Sequence, residues 1–481
     1  MQRVRGGERQ WWRILLVGGG LIAWTGCGAD ADTVATAPQA EVLACEPGAT
    51  VAVPIAASER AALEARGGFL TQWSVSPTVT ANDGVRFRRI TDALAAARRV
   101  RARTGAGSCR IEIAVAAGTY VGATSGSDTL KERLPLVVDM PDVTLRGAYV
   151  AARDTAGRPL APASGAPASV LVANPALTIV GGTTQTGVSE PLVVINTEPA
   201  SIGGDGAVVE GFVFRSGHAA SDTTIAGKGI LTLRAANVLI RGNSFEGNFT
   251  ERIDLRVGSA AVVRNYLAGL GETCDICVAG PGVFRVDSNR VTSGGIPGVL
   301  IVPATILPVP TGVTQTALGS NAVAVVGVTG NEITGHQRLP VGVGIRIATM
   351  GIGAPNVQGI TRATIERNVL RGNRFGMIVE AGFPVAGSPL RGDAVISTAG
   401  NTVSNSCQAD LYVAFTRHTV GLGLANQPYL RGSTYQFQLG ADFPWDRAWF
   451  AHADGNGNLL QVNGAVIPPG RVAPYTPAAC P

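Results

Sequence analysis

Asp254, Arg256 and Arg346 carry the most chemical promise in this 481-residue chain. An arginine holds a carboxylate through paired hydrogen bonds. A second carboxylate beside it can take the proton α to the one so held, which is lyase chemistry. Arg234, Asp275, Glu380 and Tyr412 fall near these three in the strand pattern described below and are the expected substrate-binding side chains. Asp254 and Glu380 also offer the two acids of a glycosidase. They lie four repeats apart, and at roughly 4.8 Å per repeat that exceeds the separation such pairs need.

Other signatures are missing. No P-loop, GxSxG or HExxH occurs. His218, His336, His418 and His452 are scattered and read as loop residues. Cys274 and Cys277 form one CxxC without a second pair or a nearby His, which argues against zinc. Asp254, Asp275 and Asp287 fall on adjacent coils without the acidic cluster calcium needs, and no metal or cofactor is assigned. No βαβ context surrounds it to suggest a thioredoxin-like role.

The elements that position these residues are short strands. The chain is 46% hydrophobic and 5% aromatic, with 63 Gly and 28 Pro, a mix that suits β-branched strands joined by tight turns. The net charge is +5, of which residues 1–26 supply +3 (Arg3, Arg5, Arg9 and Arg13 against Glu8), leaving +2. So neutral a remainder lacks the concentrated basic face of a nucleic-acid binder. Arginine outnumbers lysine 37 to 2, as codon bias in a GC-rich genome produces, and any lysine chemistry has only Lys131 and Lys228 to draw on.

Residues 1–27 read as an address. Four arginines precede an apolar run at 14–24 of signal-peptide length, followed by Thr25, Gly26 and Cys27. Small residues before a cysteine resemble the bacterial lipobox, which implies lipidation of Cys27 and a membrane-anchored envelope lipoprotein. Cleavage and plain secretion is the alternative. Residues 28–45 read as a tether and 46–85 as an N-terminal extension. Removing Cys27 from the seven cysteines leaves six, and the pairs expected in an oxidising compartment are Cys45–Cys109, Cys274–Cys277 and Cys407–Cys480.

The middle of the chain repeats. The template is an apolar residue, two variable residues, Asn, one variable residue and a second apolar residue. Asn243, Asn265, Asn289, Asn331, Asn368 and Asn401 head the copies, at spacings of 22, 24, 42, 37 and 33, and Phe212 holds the place of Asn in an earlier copy. A second short strand precedes each template, at 230–234, 253–257, 275–278, 299–302, 345–348, 377–380 and 411–414. Each repeat thus reads as one coil of a solenoid, with length differences taken up by loops. The asparagines belong in the turns, where they tolerate left-handed geometry and bond to their copies. Alternation along the second strand places Thr232, Asp254, Cys277, Arg346, Ile378 and Tyr412 in one outward column, with Arg234, Arg256 and Glu380 in the next.

A helix over residues 89–103 puts Ile90, Ala93, Leu94, Ala97 and Val100 on one stripe and precedes a strand at 111–115 and an Ala-Gly-Thr-Tyr turn at 117–120. Together with the repeat, this resembles the N-terminal signature of the pectin-lyase-like superfamily. The resemblance covers about residues 81–420. It implies an all-β, single-stranded right-handed parallel β-helix over 86–420, with an N-terminal capping helix and an irregular C-terminal cap over 421–481. Active members bind extended polysaccharide in a groove along an outward strand face. The polygalacturonase-like motifs fail here: there is no Asp-Asp, His218 lies in Ser-Gly-His-Ala, and Gly344-Ile345-Arg346-Ile347 lacks the lysine. The expected function is therefore that of a monomeric polysaccharide-binding envelope or secreted protein. A lyase acting on acidic glycans through Asp254, Arg256 and Arg346 is one alternative. An adhesive protein using the loops at 303–320 and 382–393 is another.

Overall fold

The computed structural model describes residues 70–79, 82, 86–104, 110–122, 131–173, 191–196, 203–216, 227–292, 297–303, 321–337, 342–349, 358–381, 391–415, 430–444, 447–451 and 457–468. Among these the chain is all-β apart from one helix, Ile90–Thr104. Cys27, Cys45, Cys109 and Cys480 lie outside the described residues.

The strands form three rows. The first holds Leu136–Val138, Val193–Asn196 and the leading parts of Ile230–Arg241 and Phe249–Val263. It continues through Gly271–Ala279, Val299–Val302, Val343–Ala348, Phe375–Glu380, Ala409–Ala414 and Ala448–Ala451. The trailing parts of the same two long strands run on into the second row, which extends from Arg86–Phe87, paired to Leu70–Val75, to Leu459–Val462. The third is a nine-stranded sheet from Gly118–Val121 to Thr402–Ser404. Each strand pairs in parallel with its counterpart one coil away. The hairpin of Leu459–Val462 with Ala465–Ile467 is antiparallel. This stacking is that of a β-solenoid, consistent with a parallel β-helix.

Stacking follows from the repeat. A single coil cannot bury its apolar side chains, whereas a stack buries them in one continuous core and satisfies the backbone between coils. Leu136, Val193, Ile230, Ile253, Ile276, Val299, Ile345, Met377, Leu411 and Ala448 lie in register through the first row. All ten are buried.

The asparagines form the expected ladder. Nδ2 of Asn243 donates to Oδ1 of Asn265, and the same bond runs on through Asn289, Asn331, Asn368 and Asn401, at 2.9–3.1 Å. Each backbone N–H adds a second bond to the same oxygen. Phe212 keeps the register by donating its N–H to Asn243 Oδ1 at 3.0 Å. The left-handed residue is the one before each asparagine, not the asparagine itself. Gly242, Arg264, Ser288, Gly330, Arg367 and Gly400 all have φ between 54° and 67°. That turn aims the amide along the stack, which is why the asparagine recurs without adopting the left-handed conformation.

The helix packs against the strands at Leu70–Val75, Arg86–Phe87, Arg110–Val115 and Leu136–Val138. Ile90, Ala93, Leu94 and Ala97 are buried, as the stripe requires. Glu132 closes the helix N-terminus, accepting from the N–H groups of Ile90 (2.8 Å) and Thr91 (3.0 Å) and from the Thr91 hydroxyl (2.7 Å).

Parallel pairing extends beyond both ends of the span read from the repeat. Leu70–Val75 pairs with Arg110–Val115. Past residue 420, Thr434–Gln438, Ala448–Ala451 and Leu459–Val462 add further parallel layers. The template is hidden there because Asp442 takes the asparagine's place, accepting from Asn401 Nδ2.

Candidate functional site

Two outward strand faces could meet a ligand, and they differ in exposure. On the first row the outward column runs Val137, Val194, Leu231, Asp254, Cys277, Leu300, Arg346, Ile378, Tyr412 and Trp449. Cys277, Ile378 and Tyr412 stand with Asp254 and Arg346 as alternation predicts. Thr232 does not: it pairs with Leu255 in an inward column, because alternation from the buried Ile230 turns Leu231 outward. Leu233, not Arg234, stands opposite Arg256. Arg234 lies within Ile230–Arg241 but drops out of the paired register, is exposed, and has φ 52° where the chain turns into the second row.

The polar side chains of this face are buried. Asp254 is 1% exposed, Arg256 2%, Arg346 3% and Glu380 0%. Asp254 and Arg256 come together, with Nε of Arg256 3.0 Å from Asp254 Oδ2. Lys228 joins them, its Nζ 2.7 Å from Asp254 Oδ2 and 2.7 Å from Glu251 Oε2. The second contact brings the charges together without an aligned hydrogen bond, and Asp254 Oδ1 is buried without a hydrogen-bond partner. Burial pushes the Glu251 carboxyl up. Burial also pushes Asp254 up, but Arg256 and Lys228 outweigh it and hold that carboxyl below its ordinary range.

Arg346 does not join this group. Cys277 and Leu300 separate it from Asp254 along the column. It donates instead to Glu380, with Nε 2.7 Å from Oε1. Tyr412 is 3% exposed and packs edge-on against Trp449, so it belongs to an apolar cluster with Phe375 and Ile378.

Asp275 serves a third buried group. It pairs with Arg252 and lies 2.8 Å from His336 Nε2, while His336 Nδ1 faces Asn373 Oδ1 at 3.3 Å. Burial draws His336 down to about 4 and Arg252 down to about 9. His336 is a loop residue, as expected, but a fully buried one that acts as an interior strut. Its signal in the sequence is its place one residue past the third-row strand Glu332–Thr334 and a glycine, where Asn373 stands in the next coil. Cys274 and Cys277 are joined as a disulfide, and Cys407 is disulfide-bonded.

The second row presents an open face. Ser259, Val283, Val325, Arg362, Val395, Gln436 and Gln461 stack in register. Val283, Val325 and Val395 are 61%, 40% and 46% exposed, and Arg362 and Gln436 are exposed beside them. The parallel column Arg285, Gly327, Thr364, Ser397 and Gln438 adds hydroxyl, amide and guanidinium groups. Sequence alternation marks these residues as outward, but they lack the acid–base pairs by which a reactive site is sought.

Among the described residues no three His, Cys, Asp or Glu side chains converge as a metal site, and no helix is long and apolar enough to cross a membrane. No protein-family model matches this chain, and no curated protein matches it.

Proposed function

We infer that this is an exported, non-catalytic polysaccharide-binding protein. Its fold is a right-handed parallel β-helix of the pectin-lyase-like kind, with the helix at Ile90–Thr104 as its N-terminal cap and the final hairpin closing the other end. Cys27 is the lipid anchor to the bacterial envelope, and the chain works as a monomer. The observation that carries the binding reading is the exposed second-row column, where Arg362 sits between Val325 and Val395 with Gln436 next in line. Side chains repeating at the coil spacing of about 4.8 Å match the regularity of an extended glycan. The valines suit the apolar faces of sugar rings, and Arg362, Thr364 and Gln436 suit hydroxyl or carboxylate groups.

Against the lyase alternative, Asp254, Arg256 and Arg346 are buried, and each is ion-paired to another protein side chain. Affinity electrophoresis of the full chain through gels of acidic and neutral polysaccharides tests the reading. Retardation in one gel, lost in Arg362→Ala combined with Gln436→Ala, supports it. Unaltered mobility of the folded protein across the panel overturns it. Release of 4,5-unsaturated uronate, abolished in Asp254→Asn, would restore the lyase.

A further inference from the structure

With 37 arginines and 2 lysines, this chain carries nearly all its cationic side chains as guanidinium. Yet one of its two lysines is buried. Lys228 is 6% exposed, and its Nζ reaches two carboxylates that are themselves 5% and 1% exposed, Glu251 and Asp254. A buried charge pair gains little over a neutral group of the same shape, because desolvation offsets the attraction. Arginine would serve that pairing at least as well. Lysine has one capacity that arginine lacks: its neutral amine acylates readily.

We propose that Lys228 and Asp254 are joined by an intramolecular amide bond, with Glu251 as proton carrier and Arg256 as oxyanion donor. Nζ lies 2.7 Å from Asp254 Oδ2, so the carbon it would attack is one bond away. Glu251 touches the same nitrogen at 2.7 Å. Arg256 places Nε and Nη2 3.0 and 2.9 Å from Oδ2. Oδ1 has no hydrogen-bond partner and is the oxygen free to leave.

The reaction balances within these four groups. One Nζ proton passes through Glu251 to the Asp254 carboxylate, turning an ammonium and a carboxylate into an amine and an acid. This transfer runs uphill against the hold of Arg256 and Lys228 on the Asp254 carboxyl, and it leaves the amine nucleophilic. The amine lone pair adds to Cγ, forming the C–N bond, and the carbonyl electrons move to Oδ2, where Arg256 holds them. Glu251 takes a second proton from the nitrogen and gives it to the Oδ1 hydroxyl, which departs as water. Oδ2 regains its double bond. The products are one secondary amide and one water, and Glu251 ends as it began. Burial pushes the Glu251 carboxyl up, which eases its uptake of the protons it relays. The bond would tie two successive coils together across a separation of 26 residues. It is independent of what the second-row face binds.

Peptide mass mapping tests the bond. The full chain, purified folded, is reduced, denatured and digested with trypsin. The expected product is residues 216–234, uncut after Lys228, joined to residues 253–256, and lighter than the two peptides together by one water. Recovery of 229–234 and 253–256 as separate peptides from the folded protein overturns the proposal. Glu251→Ala keeps both reacting groups, and its folded form is expected to yield the separate peptides. Complete joining in that variant would strip Glu251 of the role assigned to it.

Discussion

Asn401 ends its ladder on a carboxylate: its backbone N–H and its Nδ2–H both donate to Oδ2 of Asp442, at 3.2 and 2.5 Å. Every amide in the ladder donates toward the next coil, so the last needs an acceptor and nothing to donate onward. An aspartate meets that need. Replacing Asp442 with Ala removes the acceptor, at a cost of about 1–3 kcal/mol, and Asp442→Asn is expected to recover most of it. Asn289→Ala, which breaks the ladder on both sides, is expected to cost more than Asp442→Ala. Thermal midpoints of the three variants check the order.

The ladder is legible in the sequence because a buried amide that bonds its own copies must recur once per coil, whatever the loops between. Alternation likewise places Cys277, Arg346, Ile378 and Tyr412 in the column of Asp254, since strand periodicity survives changes in loop length. Other features leave no such trace. Periodicity separates inward from outward, but it does not say whether an outward residue reaches water, so the burial of Asp254 and Arg346 is unreadable. Lys228 precedes its strand and has no periodic neighbour to mark it as a partner of Glu251 and Asp254. Arg234 is misplaced because its left-handed backbone ends the alternation one residue early.

Arg346 and Glu380 form a buried pair, and removing one member leaves the other charged and desolvated. Arg346→Ala is expected to lower stability by about 3–5 kcal/mol. Replacing both, Arg346→Met with Glu380→Leu, should recover much of that loss. Chemical denaturation midpoints distinguish this from a catalytic role, in which Arg346→Ala would leave stability unchanged.

His336 makes stability depend on pH. Its folded value near 4 lies below its ordinary 6.5, with Arg252 and Asp275 as the charged groups around it. Above pH 6.5 both folded and unfolded chains hold it neutral, and its contribution is fully present. As pH falls toward 4 the unfolded chain takes up a proton that the folded chain refuses, and stability is lost, on the order of 3 kcal/mol in all. His336→Gln keeps a donor for Asp275 and cannot titrate. Its unfolding midpoint should fall less than that of the unaltered protein between pH 6.5 and 4. Parallel curves for the two would refute this assignment.

Val257 holds a left-handed backbone, φ 44°, at the bend of Phe249–Val263 between the first and second rows. A β-branched residue there crowds its own backbone, at about 1–2 kcal/mol relative to a residue at ease in that region. The neighbouring coil turns the same corner with Arg234 and Asn237, which bear the conformation with less crowding. The stacked hydrogen bonds on either side oblige Val257 to accept the strain. Val257→Gly relieves it but loses some packing and gains chain entropy when unfolded. Relief is the larger effect because Val257 is only half-buried. The variant is expected to melt at a higher temperature than the parent. A lower melting temperature would mean that the side chain's contacts, rather than its backbone geometry, govern this corner.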